Sequence, residues 1–298
     1  MNSTLNGVIR QVEGAILGKP QQIRLALACL IARGHLLIED VPGVGKTTLA
    51  HVLSGTLGLQ FSRIQFTSDL LPADILGISV FEREKNQFKF HPGPIFTQML
   101  LADEINRATP KAQSALLEAM EEHQVTIEGV TRKLPAPFFV IATQNPSHQT
   151  GTYPLPESQL DRFLMRIQIG YPDEKAERSL LCGIDRREII AGLTPQMNIA
   201  DLLALQQRAK EVFVSEALLD YVQALLRHTR ESESYAHGLS PRAGLALLSA
   251  ARAWAMIDGR NAVIPEDVQN ILPGVVSHRL PSASGQTAQQ LIEAVAIP

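Results

Sequence analysis

The segment Asp40-Val41-Pro42-Gly43-Val44-Gly45-Lys46-Thr47-Thr48 sits between a short apolar run, Leu36–Ile38, and a helical pattern, Thr47–Leu57. Glycines at 43 and 45 allow backbone N–H groups to turn inward around an anion, and the start of the following helix adds its partial positive charge. Lys46 is then placed to reach the β- and γ-phosphates of a nucleoside triphosphate, and the Thr47 hydroxyl to ligate Mg2+. All nine residues are expected to form the phosphate cradle. The pattern for such loops opens with Gly, and Asp40 departs from it; Gly45-Lys46-Thr47 after a buried strand is the informative part. A Gly-rich turn carrying a surface lysine is the bland alternative.

Asp103-Glu104 follows a second apolar run, Met99–Ala102. A carboxylate at a strand end beside a phosphate loop can hold Mg2+ through its water shell, which is the role expected of Asp103. Glu104 can polarise a water for attack on the γ-phosphate. Taken alone, Asp-Glu would often be no more than a helix-start pair; with Lys46 upstream the catalytic reading is preferred. A third run, Phe138–Ala142, ends in Thr143-Gln144-Asn145-Pro146. Asn145 is the candidate to orient the attacking water, against the plain reading of an Asn-Pro turn.

These residues need a scaffold that brings strand ends together. Apolar runs at Leu36–Ile38, Arg63–Phe66, Met99–Ala102, Phe138–Ala142 and Met165–Ile169 have strand length and no clean alternation, as expected of strands buried on both faces. Helical patterns lie between them, including Pro110–Glu122 with Thr109 at its N-cap. Alternation of this kind predicts an α/β fold with a parallel sheet. Val80–Phe90 and Val125–Leu134 read as β-hairpin insertions or, equally, as connecting loops. From Pro172 onward only helices are expected. One is capped by Ser215, with Leu218, Leu219, Val222, Leu225 and Leu226 on its apolar side. Another opens at Ser240-Pro241, with Leu245, Leu248, Ala251 and Trp254 inward, and a third spans Glu266–Leu272. The expected domains are therefore 1–171 and 172–298.

Composition narrows the partners. The chain has 298 residues, 45% hydrophobic and 19% charged, with a net charge of −3. That balance suits a globular protein and argues against broad attraction to nucleic acid. Two cysteines, Cys29 and Cys182, fit neither a disulfide framework nor a zinc site, and the eight histidines show no ligand spacing. Without a signal-peptide pattern or a membrane-length apolar stretch, a cytoplasmic protein with no membrane insertion is expected.

The runs Asp40–Thr48, Phe90–Phe96, Asp103–Ala108, Ala142–Pro146 and Gly151–Phe163 (GTYPLPESQLDRF) resemble the AAA+ superfamily and, in detail, its MoxR family. The resemblance is close from Ile16 to about Gly170 and looser beyond. It implies a five-stranded parallel core, two β-hairpin insertions, an all-α lid, and assembly into a homo-oligomeric ring, with six subunits the number the family suggests. Carried over by residue, it makes Arg162 the arginine finger, with Arg166 a weaker alternative, and Arg242 the sensor-2 arginine of the lid. ATP and Mg2+ are the implied ligands. The implied activity is ATP hydrolysis at subunit junctions, with lid motion applied to a client protein, with or without an adaptor. A magnesium-chelatase-like motor subunit, a nucleic-acid remodeller and a nucleotide-locked scaffold without turnover are the rival readings. The hairpin Val125–Leu134 offers only Arg132 and Lys133 against Glu128, which does not favour nucleic acid.

Overall fold

The computed structural model describes residues 2–145, 152–183, 186–280 and 288–297. Pro146 and Gly151, quoted in the motifs above, lie outside these ranges. Two helices that the sequence reading did not assign come first, α1 (Asn2–Ala15) and α2 (Pro20–Ile31). Their signals are present: Leu5, Val8, Ile9 and Val12 recur at helical spacing and are buried, and Pro20 stands at the first position of α2.

The strands β1 (Leu36–Glu39), β2 (Phe61–Gln65), β5 (Met99–Asp103), β8 (Phe139–Gln144) and β9 (Met165–Ile167) form one sheet in the order β2-β5-β8-β1-β9. Every pairing in it is parallel. Crossovers include α3 (Lys46–Thr56) after β1 and α5 (Pro110–Glu122) after β5. Residues of the inner strands alternate between two apolar clusters. Leu36, Ile38, Met99, Leu101, Phe139 and Ile141 join one; Leu37, Leu100, Ala102, Val140 and Ala142 join the other. Burial on both faces explains the unbroken apolar runs. The edge strand β2 starts two residues before the expected Arg63 and is mostly half-buried or exposed, so its apolar signal was weaker.

Between β2 and β5 lie α4 (Pro72–Leu76) and the antiparallel hairpin β3 (Gly77–Glu82) and β4 (Gln87–Pro92). A second hairpin, β6 (Gln124–Ile127) and β7 (Val130–Lys133), follows α5. Its turn residues Glu128 and Gly129 have φ of 52° and 78°, both positive, as a two-residue hairpin turn of matching twist requires. Arg132 lies over the Phe90 ring at 3.9 Å from its centroid, tying the hairpins together.

The chain continues through α6 (Glu157–Leu160), β9, α7 (Glu174–Cys182), α8 (Arg186–Ala191), α9 (Ile199–Ala209), α10 (Glu216–Glu231), α11 (Pro241–Ile257), α12 (Pro265–Val276) and α13 (Ala288–Ala294). Ser215 and Ser240 cap α10 and α11 by accepting from the N–H groups of Leu218 and Ala243, each at 3.2 Å. Trp254 is buried in α11, with the Arg24 guanidinium over its ring. Two side chains expected inward point out instead: Leu219 is 38% and Leu245 67% exposed. The small residues Ala243, Ala246, Ala250 and Ala253 face the core of α11 in place of Leu245. Helices α9 to α12 share the first apolar cluster with α1, α2 and α3, and α11 packs on α2.

Candidate active site

Parallel strands present their carboxyl ends on one edge, where ligands of α/β sheets collect. There the residues after β1, β5 and β8 meet around a cavity of about 320 Å³ lined by Pro42, Gly43, Gly45, Lys46, Thr47, Thr48, Asp103, Glu104 and Asn145. Gly43 and Gly45 have φ of 88° and 95°. A Cβ at either would meet no atom within 4 Å, so backbone conformation rather than space calls for glycine. The Lys46 ammonium donates to the carbonyls of Asp40 (2.5 Å) and Val41 (3.1 Å) and to Asn145 Oδ1 (3.1 Å). Burial pulls its pKa below the usual lysine range, opposed by the charges of Asp40, Asp103 and Glu104.

Asp40 has a different task from the one its place in the motif suggested. Its Oδ2 accepts from the N–H groups of Ile169 (2.7 Å) and Gly170 (2.6 Å), and its Oδ1 from Val41 N–H (2.8 Å). The carboxylate thus fastens the root of the loop to the chain leaving β9 and faces away from the cradle. Asp40 helps to shape the loop through these bonds, and its side chain is not among the residues lining the cavity.

The two acidic residues are held differently. Asp103 Oδ1 accepts from the Thr143 hydroxyl at 2.5 Å and Oδ2 from Arg63 at 2.6 Å. Thr143 Oγ1 in turn accepts from Glu104 N–H at 2.9 Å. Glu104 has left-handed backbone angles, φ 55° and ψ 48°. Its carboxylate accepts from Asn145 Nδ2 (3.0 Å), Gln65 Nε2 (3.0 Å) and Arg107 (2.9 Å). Asn145 therefore bridges Lys46 and Glu104. Thr47 and Asp103 offer the hard oxygen donors that suit Mg2+. Among the described residues no group of three or more His, Cys, Asp or Glu is placed to hold a metal. A magnesium ion here would draw its other ligands from phosphate and water.

The arginines gather elsewhere. Arg162 donates to Glu121 Oε2 at 2.8 Å, and Arg242 lies 3.3 Å from Glu121 Oε1 and 3.9 Å from Asp161. Both line a cavity of about 280 Å³ between the sheet and α11, which includes none of the loop residues. Glu121, in the last turn of α5, is their shared counter-ion. Arg166 is committed to Glu39 (2.7 Å) and to Ser277 (3.2 Å).

Comparison with known proteins places this geometry. Residues 35–165 match the ATPase family associated with various cellular activities (AAA), and residues 227–295 match the AAA lid domain. The Mycobacterium tuberculosis protein named chaperone MoxR1 is 43% identical, over 93% of this chain and 75% of its own length. The MoxR protein of Paracoccus denitrificans is 32% identical over 90% and 86% respectively. The chain belongs to the MoxR family of AAA+ ATPases. A crystal structure from Cytophaga hutchinsonii superposes with a TM-score of 0.89 at 37% identity, covering 98% of this chain and 93% of that one.

For a MoxR-family ATPase, the sequence reading missed several residues at the site. Thr143, Arg63, Gln65 and Arg107 contact the carboxylates, as described. A neighbouring recess of about 450 Å³ shares Gly43, Gly45 and Thr48 with the cradle and adds Ile16, Leu17, Tyr171 and Leu181. Its apolar walls and its place beside the loop suit a planar base.

Proposed function

We propose that this MoxR-family protein binds Mg·ATP in the cradle and hydrolyses it when a neighbouring subunit of a ring, hexameric by family resemblance, supplies Arg162 and Arg242. The observation that carries this reading is the pairing of both arginines on Glu121, apart from their own chain's phosphate loop. The core (1–171) would supply the loop and carboxylates, and the lid (172–298) would supply Arg242.

Roles follow from the contacts. Phosphate oxygens draw Lys46 from the carbonyls of Asp40 and Val41 and from Asn145 Oδ1. That side-chain oxygen is then available to a water, and Glu104, still held by Asn145 Nδ2, accepts the proton as the water attacks the γ-phosphorus and the bond from that phosphorus to the β,γ-bridging oxygen breaks, with ADP leaving. Thr47 and Asp103 would hold magnesium, Asp103 through the ion's water shell, and the ion would supply neutralisation of the negative charge on the phosphates. The neighbour's Arg162 stabilises the charge spread over the transferring phosphoryl group, for which a planar, permanently charged fork is suited. Subunit motion during turnover would act on a client protein in chaperone-like remodelling or maturation, directly or through an adaptor, in the cytoplasm. The name of the mycobacterial relative supports this direction. A magnesium-chelatase-like motor remains the nearest rival within the class. A locked scaffold is disfavoured because Lys46, Thr47, Asp103, Glu104 and Asn145 converge on one cavity.

The test separates binding from chemistry. Lys46→Ala should lose measurable ATP affinity, and Glu104→Gln should bind ATP with near-native affinity while turnover falls by about 10²-fold or more. Equal loss of binding in both variants would contradict these roles.

A further inference from the structure

Arg279 follows the last turn of α12, and its side chain is 6% exposed. A guanidinium has five N–H groups. Here they meet five acceptors: Asp161 Oδ1 (2.6 Å) and the carbonyls of Asp161 (3.1 Å), Phe163 (2.7 Å), Leu164 (3.1 Å) and Val275 (2.5 Å). Four of the five belong to the segment 161–164, which contains Arg162. The residues before Arg279 grip the same stretch. His278 Nε2 donates to the Phe163 carbonyl at 2.9 Å, and Ser277 Oγ accepts from Arg166 at 3.2 Å. By contrast, among the described residues Arg162's own side chain rests on one partially exposed carboxylate, Glu121.

We propose that Arg279 is a positioning residue for the arginine finger: with Asp161 it fixes the backbone around Arg162 to the end of α12, so that the reach of the finger follows the lid. This rests on the reading that Arg162 acts on a neighbour's nucleotide. Burying a charged guanidinium is costly unless its partners compensate it. Satisfying four of the five donors on one short segment concentrates that compensation where Arg162 must be aimed. Asp161 also lies 3.9 Å from Arg242, so the same carboxylate relates both arginines. A nucleotide-driven shift of α12 would then move the finger with it rather than change the angle of the lid alone.

Mixed rings test this in two directions. Subunits with Arg162→Ala keep an intact cradle, and Glu104→Gln subunits keep an intact finger, so mixing them should restore turnover. Adding Arg279→Lys to the finger donor, as Glu104→Gln/Arg279→Lys, should reduce the restored turnover at least tenfold. Adding it to the nucleotide holder, as Arg162→Ala/Arg279→Lys, should leave the restored turnover unchanged, because that subunit's finger is already absent. Incorporation into rings and ATP affinity are measured alongside. Equal loss in both arms, or loss in neither, would overturn the positioning role and indicate a general structural clasp or an idle contact. Failure of the parent mixture to recover in rings confirmed to be mixed would refute the trans-acting finger itself. Should Arg279→Lys not enter rings, Asp161→Asn, which removes the charge but keeps an acceptor, takes its place with the same expected asymmetry.

Discussion

The phosphate cradle and the arginine face are both clusters of charged side chains at the margin of one sheet, yet they are satisfied in opposite ways. In the cradle, Lys46, Asp103, Glu104 and Asn145 bond to one another or to adjoining strand ends, and each has two or more partners. On the arginine face, Arg162 and Arg242 share Glu121, itself 38% exposed, and Arg242 is 48% exposed. Exposed ion pairs of this kind contribute about 1 kcal/mol or less. The cradle is organised before a ligand arrives, whereas the arginines can leave Glu121 at little cost for a stronger anion. Leu245, 67% exposed one turn along α11 from Arg242, adds apolar surface beside them.

The sharpest way to break this contrast is Arg162→Ala. If the arginine face serves another subunit's site, turnover should fall by about 10³-fold or more, by analogy with arginine fingers elsewhere, while ATP affinity changes little. Steady-state rates and equilibrium ATP binding measured on the same preparation check this. A parallel loss of affinity would place Arg162 among its own chain's binding groups.

A smaller effect concerns His35, which borders the arginine cavity and is buried. Its Nδ1 accepts from Val140 N–H at 3.0 Å and its Nε2 donates to the Met120 carbonyl at 3.2 Å, an arrangement that requires the neutral ring. Burial lowers its pKa to about 4. Because the folded value lies below the unfolded one, the stability it contributes is complete above about pH 6.5 and is lost as pH falls toward 4. The loss is at most about 3 kcal/mol from this group. Thermal unfolding between pH 7 and 4 should therefore decline less steeply for His35→Gln than for the native chain. Matching slopes would show that His35 does not carry the effect.

The contrast also explains what could be read from sequence. Asp103, Glu104 and Asn145 lie at or just beyond the ends of apolar strand runs, and Lys46 opens the helix that the Gly-rich loop joins to β1, so local pattern and parallel-sheet topology suffice to bring them together. Arg63 and Gln65 lie on an edge strand with a weak apolar signal, and only the register Gln65↔Asp103 reveals which carboxylates they face. The link between Asp40 and Gly170 spans 130 residues, and that between Arg279 and Asp161 spans 118. No spacing rule covers such separations. The bounds of α5 were legible because Thr109-Pro110 marks its start, although Thr109 makes no side-chain cap bond. The outward turn of Leu245 was not, since apolar character alone does not tell which stripe of a largely apolar helix meets the core.

The central claim is that one chain holds ATP and another completes the site. Turnover per chain, followed across protein concentration together with the mass of the particles present, tests it most directly. The account predicts that native turnover rises in step with ring formation, while Arg162→Ala stays low even where rings predominate. Full turnover by monomers, unchanged on assembly, would contradict it.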